Sequence, residues 1–135
     1  MIPALDDYGN LPAGIHRATL EELVAAFGSG SPEREVQASE LVEFVQWAIT
    51  AGIRRIIVNG SFVTGKLSPN DVDVIVLPGP EYPMDTMDNE VIHDSVWPFL
   101  QIIFAADDAD LERWANEDFG TDRRQRPKGV VELIL

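Results

Sequence analysis

Apolar residues recur along the chain first at helical and then at strand spacing. Leu20, Leu23, Val24 and Phe27 fall on one face of a helix, opened by the capping box Thr19-Leu20-Glu21-Glu22 and ended by Gly28. After the loop Gly28-Ser29-Gly30-Ser31, Ser31 caps a second helix with Pro32 in its first turn and Glu33 at its positive end; it runs to Gly52. Its expected apolar face is Val36, Leu41, Val42, Phe44, Val45, Ala48 and Ile49. The period then shortens. Residues 53–58, 71–77, 99–104 and 130–135 are short, β-branched or aromatic runs between turn signals and predict four strands. A short helix is expected near residues 89–96 and another over roughly 108–118, around Leu111, Trp114 and Phe119. Residues 1–18, punctuated by Gly9, Pro12 and Gly14, read as an irregular lead-in.

This order of elements predicts an α+β fold: a small mixed sheet of four or five strands with helices mainly on one face. At 135 residues, the chain is expected to form a single domain, 1–135. There are no cysteines, which excludes disulfides, thiolate metal sites and a Cys nucleophile. No apolar run is long enough to cross a bilayer and no signal peptide is legible, so a cytoplasmic protein is expected. A net charge of -13 argues against broad nucleic-acid binding. Arg123, Arg124, Arg126 and Lys128 are the one dense basic stretch, read as a mobile loop with scattered charge.

The candidate chemistry lies between the first two predicted strands. Asp71 and Asp73, two apart at the head of a strand, project from the same face. Two carboxylates so close repel unless a cation lies between them, and oxygen donors of this kind suit Mg²⁺ or Mn²⁺ bound together with substrate phosphates. Upstream, a strand runs into Gly60-Ser61, where the glycine admits close backbone approach and the serine offers hydroxyl and amide. Gly60 to Lys66 also reads as most of a P-loop. That motif needs Ser or Thr after the lysine and a helix beyond it, whereas Leu67 follows here and Pro69 breaks a helix.

Gly60-Ser61, nine residues, then Asp71-Val72-Asp73 resembles the signature of the nucleotidyltransferase-like superfamily, with flanking strands at 56–58 and 74–76. Residues 11–19, 59–66, 69–73 and 127–131 look like a group of small bacterial proteins related to minimal nucleotidyltransferases. The resemblance implies a metal-dependent transfer of a nucleoside monophosphate from an NTP to a protein or RNA hydroxyl. Asp71 and Asp73 would hold the metal and be catalytic, Gly60 and Ser61 would cradle phosphates, and Lys66 would neutralise them. It also implies a possible setting in a toxin–antitoxin pair, with a cognate toxin or other protein as partner. Catalytic members carry a third carboxylate on a neighbouring strand; residues 99–104 offer Gln101 and no acid. Asp107, Asp108 and Glu132 are the acids that could substitute in space, and Gln101 cannot serve as a general base. The alternatives are a catalytically degraded nucleotide- or protein-binding module of the same fold, and a structural domain without nucleotide.

Other polar and aromatic residues read as structural. His16 and His93 lack a second ligand at metal spacing. Trp47, Trp97 and Trp114 have no interleaved cations and are expected in or near the core. Asp107, Asp108 and Asp110 read as charge at a helix N-terminus.

Overall fold

The structure, a computed structural model, describes residues 2–82 and 96–135. The first two helices form where their caps put them. In α1, Leu20–Phe27, the Thr19 hydroxyl accepts from the Glu22 amide at 3.1 Å, while the Glu22 carboxylate accepts from the Thr19 amide at 3.0 Å. In α2, Pro32–Ala51, the Ser31 hydroxyl accepts from the Arg34 amide, and Gly52 closes the helix in the left-handed region at φ 102°.

The buried stripe of α2 differs from the expected one. It is Arg34, Gln37, Ala38, Leu41, Phe44, Val45 and Ala48, while Val36 and Ile49 are about half exposed. At about 100° per residue, Val36 falls opposite the Leu41 side of the helix and Ile49 on the margin of the stripe, so packing selects Arg34 and Gln37 instead.

Five strands form one mixed sheet: β1 Ile15–Ala18, β2 Ile53–Asn59, β3 Val72–Pro78, β4 Leu100–Phe104 and β5 Val130–Leu133, in the order β1-β5-β2-β3-β4. β2 is antiparallel to both neighbours, whereas the β3–β4 and β1–β5 pairs are parallel. β1 lies within the expected irregular lead-in. Its four residues have no strand pattern of their own; they are extended because β5, over a hundred positions later, offers them a partner. Leu11, just before it, is fully buried.

Alternation along the strands divides the core in two. Val58, Val72, Val74, Val76, Val131 and Leu133 face α1 and α2 in the larger core. Ile57, Ile75, Leu77 and Val130 face the other way, onto Leu111 and Ala115. These come from α3, Asp108–Arg113, and the wider turn that continues it, Trp114–Asp118, where the Phe119 amide reaches back to the Trp114 carbonyl. The expectation of helices mainly on one face holds for α1 and α2. α3 covers the other face because adjacent apolar pairs such as Ile56-Ile57 and Val74-Ile75 leave neither side of the central strands fit for water.

The expected helix near 89–96 and His93 lie outside the described residues, apart from the exposed Val96. Trp97 is buried and Trp47 half-buried, in an aromatic group with Phe44 and Tyr82; Trp114 packs on Phe119 below the sheet. Among the described residues, no helix is long and apolar enough to cross a membrane.

Candidate functional site

The antiparallel β2–β3 pair sets Asn59 directly opposite Asp73. The chain then leaves β2 through Gly60 in the left-handed region, φ 78°, and into a single 3₁₀ turn, Gly60–Val63. A Cβ at position 60 would lie 2.9 Å from Asp73 Cγ and closer still to Oδ2. Glycine is thus required twice, by the backbone angle and by the carboxylate pressed against it. Asp71, just before β3, projects on the same side as Asp73. The two acids and the Gly60-Ser61 turn therefore face one another, as their spacing anticipated.

Burial comes first among the causes that push the Asp73 carboxyl up to about 6, followed by the negative charge of Asp71; Lys128 opposes both. Asn59 adds an oxygen to this neighbourhood: it is fully buried, and its Oδ1 has no hydrogen-bond partner. A carboxyl raised in the folded state favours folding when protonated. That contribution is complete below its ordinary value near 3.8 and is lost as pH rises through about 6. Asp73→Asn is accordingly expected to stabilise the metal-free protein at pH 7–8 by about 1 kcal/mol, allowing for partial solvent screening. Denaturant titrations at several pH values should show the gain vanish near pH 4; a gain independent of pH would rule out this origin.

The loop leading from the turn to Asp71 is held from behind by α2. Arg34 is 5% exposed, and its guanidinium donates to the carbonyls of Phe27, Phe62, Thr64 and Lys66, between the rings of Phe27 and Phe62. Gln37 donates to the Pro69 carbonyl at 2.6 Å, and the Thr64 hydroxyl to the Ser61 carbonyl at 2.6 Å. Residues 64–71 are turns and not a helix, so the geometry agrees with setting the P-loop aside. The clue to Arg34 in the sequence is its helical register with Ala38, Leu41 and Val45.

The opposite wall is the segment 120–129. Far from being loose, it is organised around Asp122. One carboxylate oxygen accepts from the amides of Arg124 and Arg126, the other from Asn10 Nδ2 and Arg126 Nε. These donors, the Arg126 amide foremost, hold the Asp122 carboxyl well below the usual carboxylate range. Gln125 takes a left-handed φ of 64°, and the Arg126 guanidinium stacks 4.1 Å above the Tyr8 ring. Lys128 is half-buried; burial lowers its ammonium pKa, and Asp73 and Asp122 partly restore it.

Between these walls lies a cleft of about 460 Å³. It brings together all five residues singled out from the sequence, Gly60, Ser61, Lys66, Asp71 and Asp73, and adds Arg123, Arg124 and Lys128. The third acid that lines it is Asp122, whose carboxylate is engaged by the loop and by Asn10; none of Asp107, Asp108 and Glu132 lines it. Gln101 is the in-register partner of Asp73 on β4, where the resemblance expects an acid. Glu132 is held by both oxygens to Arg55, at 2.7 and 2.8 Å. Asp107 caps α3 and Asp108 pairs with Arg54 and Arg55, beyond the far end of β4. Among the described residues, no three His, Cys, Asp or Glu side chains are grouped to hold a metal. His16 bonds the Pro12 carbonyl through Nε2 at 2.6 Å, a structural contact.

No curated protein and no solved structure matches the chain. The profile of one family matches almost all of it, residues 3–134, and the chain belongs to that family, a family of unknown function designated DUF6932.

Proposed function

We propose that the cleft binds a nucleoside triphosphate with Mg²⁺ or Mn²⁺, on a fold of the nucleotidyltransferase type. The observation that carries this reading is the Asp73 carboxylate seated against the Gly60 turn beside Asp71, at one end of a mixed sheet. Two crowded carboxylates are hard oxygen donors, the chemistry that suits these cations. Asp71 and Asp73 would hold the cation, which supplies positive charge to a phosphate group. Ser61 would donate to a phosphate oxygen, the bare Gly60 backbone allows close approach, and Lys66 would add charge at the rim.

Transfer of a nucleoside monophosphate to a protein or RNA hydroxyl, as in a toxin–antitoxin pair, is the reaction this kind of site supports when a third carboxylate aligns the acceptor. Gln101 opposite Asp73 favours the second reading, binding with little or no transfer. An amide cannot take a proton from an acceptor hydroxyl.

Thermal unfolding tests the binding. ATP with Mg²⁺ is expected to raise the midpoint by several degrees, through binding to the folded state alone, and Asp71→Asn to remove the rise. Labelled ATP offered with a lysate or partner is expected to give binding without transfer, with Gln101→Glu the substitution that creates labelling. An unchanged wild-type midpoint would sink the nucleotide reading. Strong wild-type labelling would replace binding alone with transfer.

A further inference from the structure

The chain has 10 Lys and Arg against 23 Asp and Glu, yet five of those ten cations line this one cleft: Lys66, Arg123, Arg124, Arg126 and Lys128. Elsewhere, Arg34 is spent on carbonyls, and Arg54, Arg55 and Arg113 are in ion pairs. Of the five, only Arg126 makes an ion pair among the described residues, and that pair shapes the loop. Among the described residues, Lys66, Arg123 and Arg124 make no ion pair, and Lys128 feels the charge of Asp73 and Asp122 without an ion-pair contact to either, although acids outnumber cations more than two to one. Five cations against the three aspartates of the same lining, Asp71, Asp73 and Asp122, leave an excess of positive charge that an anion would meet. The loop is also built, not frayed: Asp122 receives four hydrogen bonds, one from Asn10 at the other end of the chain.

We infer that residues 123–128, together with Lys66, form the anion-receiving wall of the cleft and take the distal phosphates of a di- or triphosphate group opposite Asp71 and Asp73. This rests on the reading of the cleft as a metal–nucleotide site and extends it. A divalent cation on the two aspartates leaves part of a triphosphate's charge uncompensated, and the opposite wall carries the cations to meet it. The cleft volume is within the range of small-molecule sites, about 300–1,000 Å³. Long nucleic acid is disfavoured by the net charge of -13 around this local basic wall.

Isothermal titration at low ionic strength tests this, with inorganic triphosphate, ATP, and an RNA oligonucleotide bearing a 5′-hydroxyl, each with and without Mg²⁺. Wild type is expected to bind triphosphate and ATP and not the RNA. The double variant Arg123→Ser/Arg124→Ser, and separately Lys128→Met, are each expected to weaken triphosphate binding about tenfold or more. The exposed arginine pair should leave the thermal midpoint unchanged, which keeps the test independent of folding. If both loop variants bind triphosphate as wild type does while Asp71→Asn and Asp73→Asn lose it, the anion wall is overturned and the metal–nucleotide reading stands. If the loop variants lose binding and the aspartate variants keep it in Mg²⁺, the wall stands and the metal reading falls. RNA binding without triphosphate binding would overturn the inference, as would the absence of any triphosphate binding to wild type.

Discussion

Arg34→Met is expected to lower the free energy of unfolding by about 3–5 kcal/mol, the scale on which breaking a buried charged network destabilises a fold. The guanidinium is 5% exposed and has no carboxylate partner among the described residues; its charge is met by four backbone carbonyls and two aromatic faces. A methionine of similar reach fills much of the space but donates nothing. The carbonyls of Phe27, Phe62, Thr64 and Lys66 then lose bonds to a charged donor, each worth about 1.5–3 kcal/mol before relaxation lets in water. Arg34→Lys should recover only part of the loss, because an ammonium cannot span four acceptors placed for a planar fork. Denaturant titration measures this, with the slope against denaturant unchanged if the folded state is otherwise retained. At temperatures where the variant still folds, its cleft should bind Mg²⁺–ATP more weakly, since Arg34 holds the loop from Phe62 to Lys66. A loss below about 1 kcal/mol would mean that water satisfies these carbonyls readily and that the arginine does not organise the loop.

Gly60→Ala is expected to cost about 2–4 kcal/mol and to abolish binding of Mg²⁺–ATP. About 1 kcal/mol belongs to placing alanine at φ 78°. The rest comes from the new methyl meeting the Asp73 carboxyl, whose Cγ is 2.9 Å from the Cβ position and which must turn away from the Gly60 turn to make room. A double-mutant cycle separates the two. In an Asp73→Ala background the carboxyl oxygen and Cγ are gone and only the Cβ at 3.2 Å remains, so Gly60→Ala should cost little more than the backbone part. Equal costs in the two backgrounds would show that the carboxylate does not constrain position 60. A Gly60→Ala protein that still binds Mg²⁺–ATP as wild type does would remove the turn from the site.

Much of this molecule is determined locally and is legible residue by residue. Thr19 with Glu22, Ser31 with Pro32, and Gly52 satisfy backbone groups within a few positions of themselves, so the bounds of α1 and α2 follow from side-chain chemistry alone. The meeting of Gly60 with Asp73 is nearly as local. A strand, a short loop and an antiparallel strand leave little choice of register when apolar pairs such as Ile57 and Ile75 must share a face.

What the tertiary structure decided depends on partners distant in the chain. β1 is extended only because β5 pairs with it, and nothing in Ile15–Ala18 announces that. The helix period puts Arg34 in register with Ala38, Leu41 and Val45, but that this side of α2 meets the loop after β2 and gives the guanidinium its carbonyls is decided by packing. The basic stretch looks like solvated charge in one dimension; three bonds from Arg124 and Arg126 to Asp122 shape it locally, and a fourth, from Asn10, 112 positions away, fixes it to the rest of the fold. That the run 99–104 holds Gln101 and no acid is visible in the sequence. That Gln101 is the residue opposite Asp73, and that Glu132 is committed to Arg55, follow only from strand register and ion pairing. Capping, turn chemistry and side-chain alternation act over a few residues and are encoded there; burial of charge, edge pairing and the assembly of a cleft from both ends of the chain are properties of the folded whole.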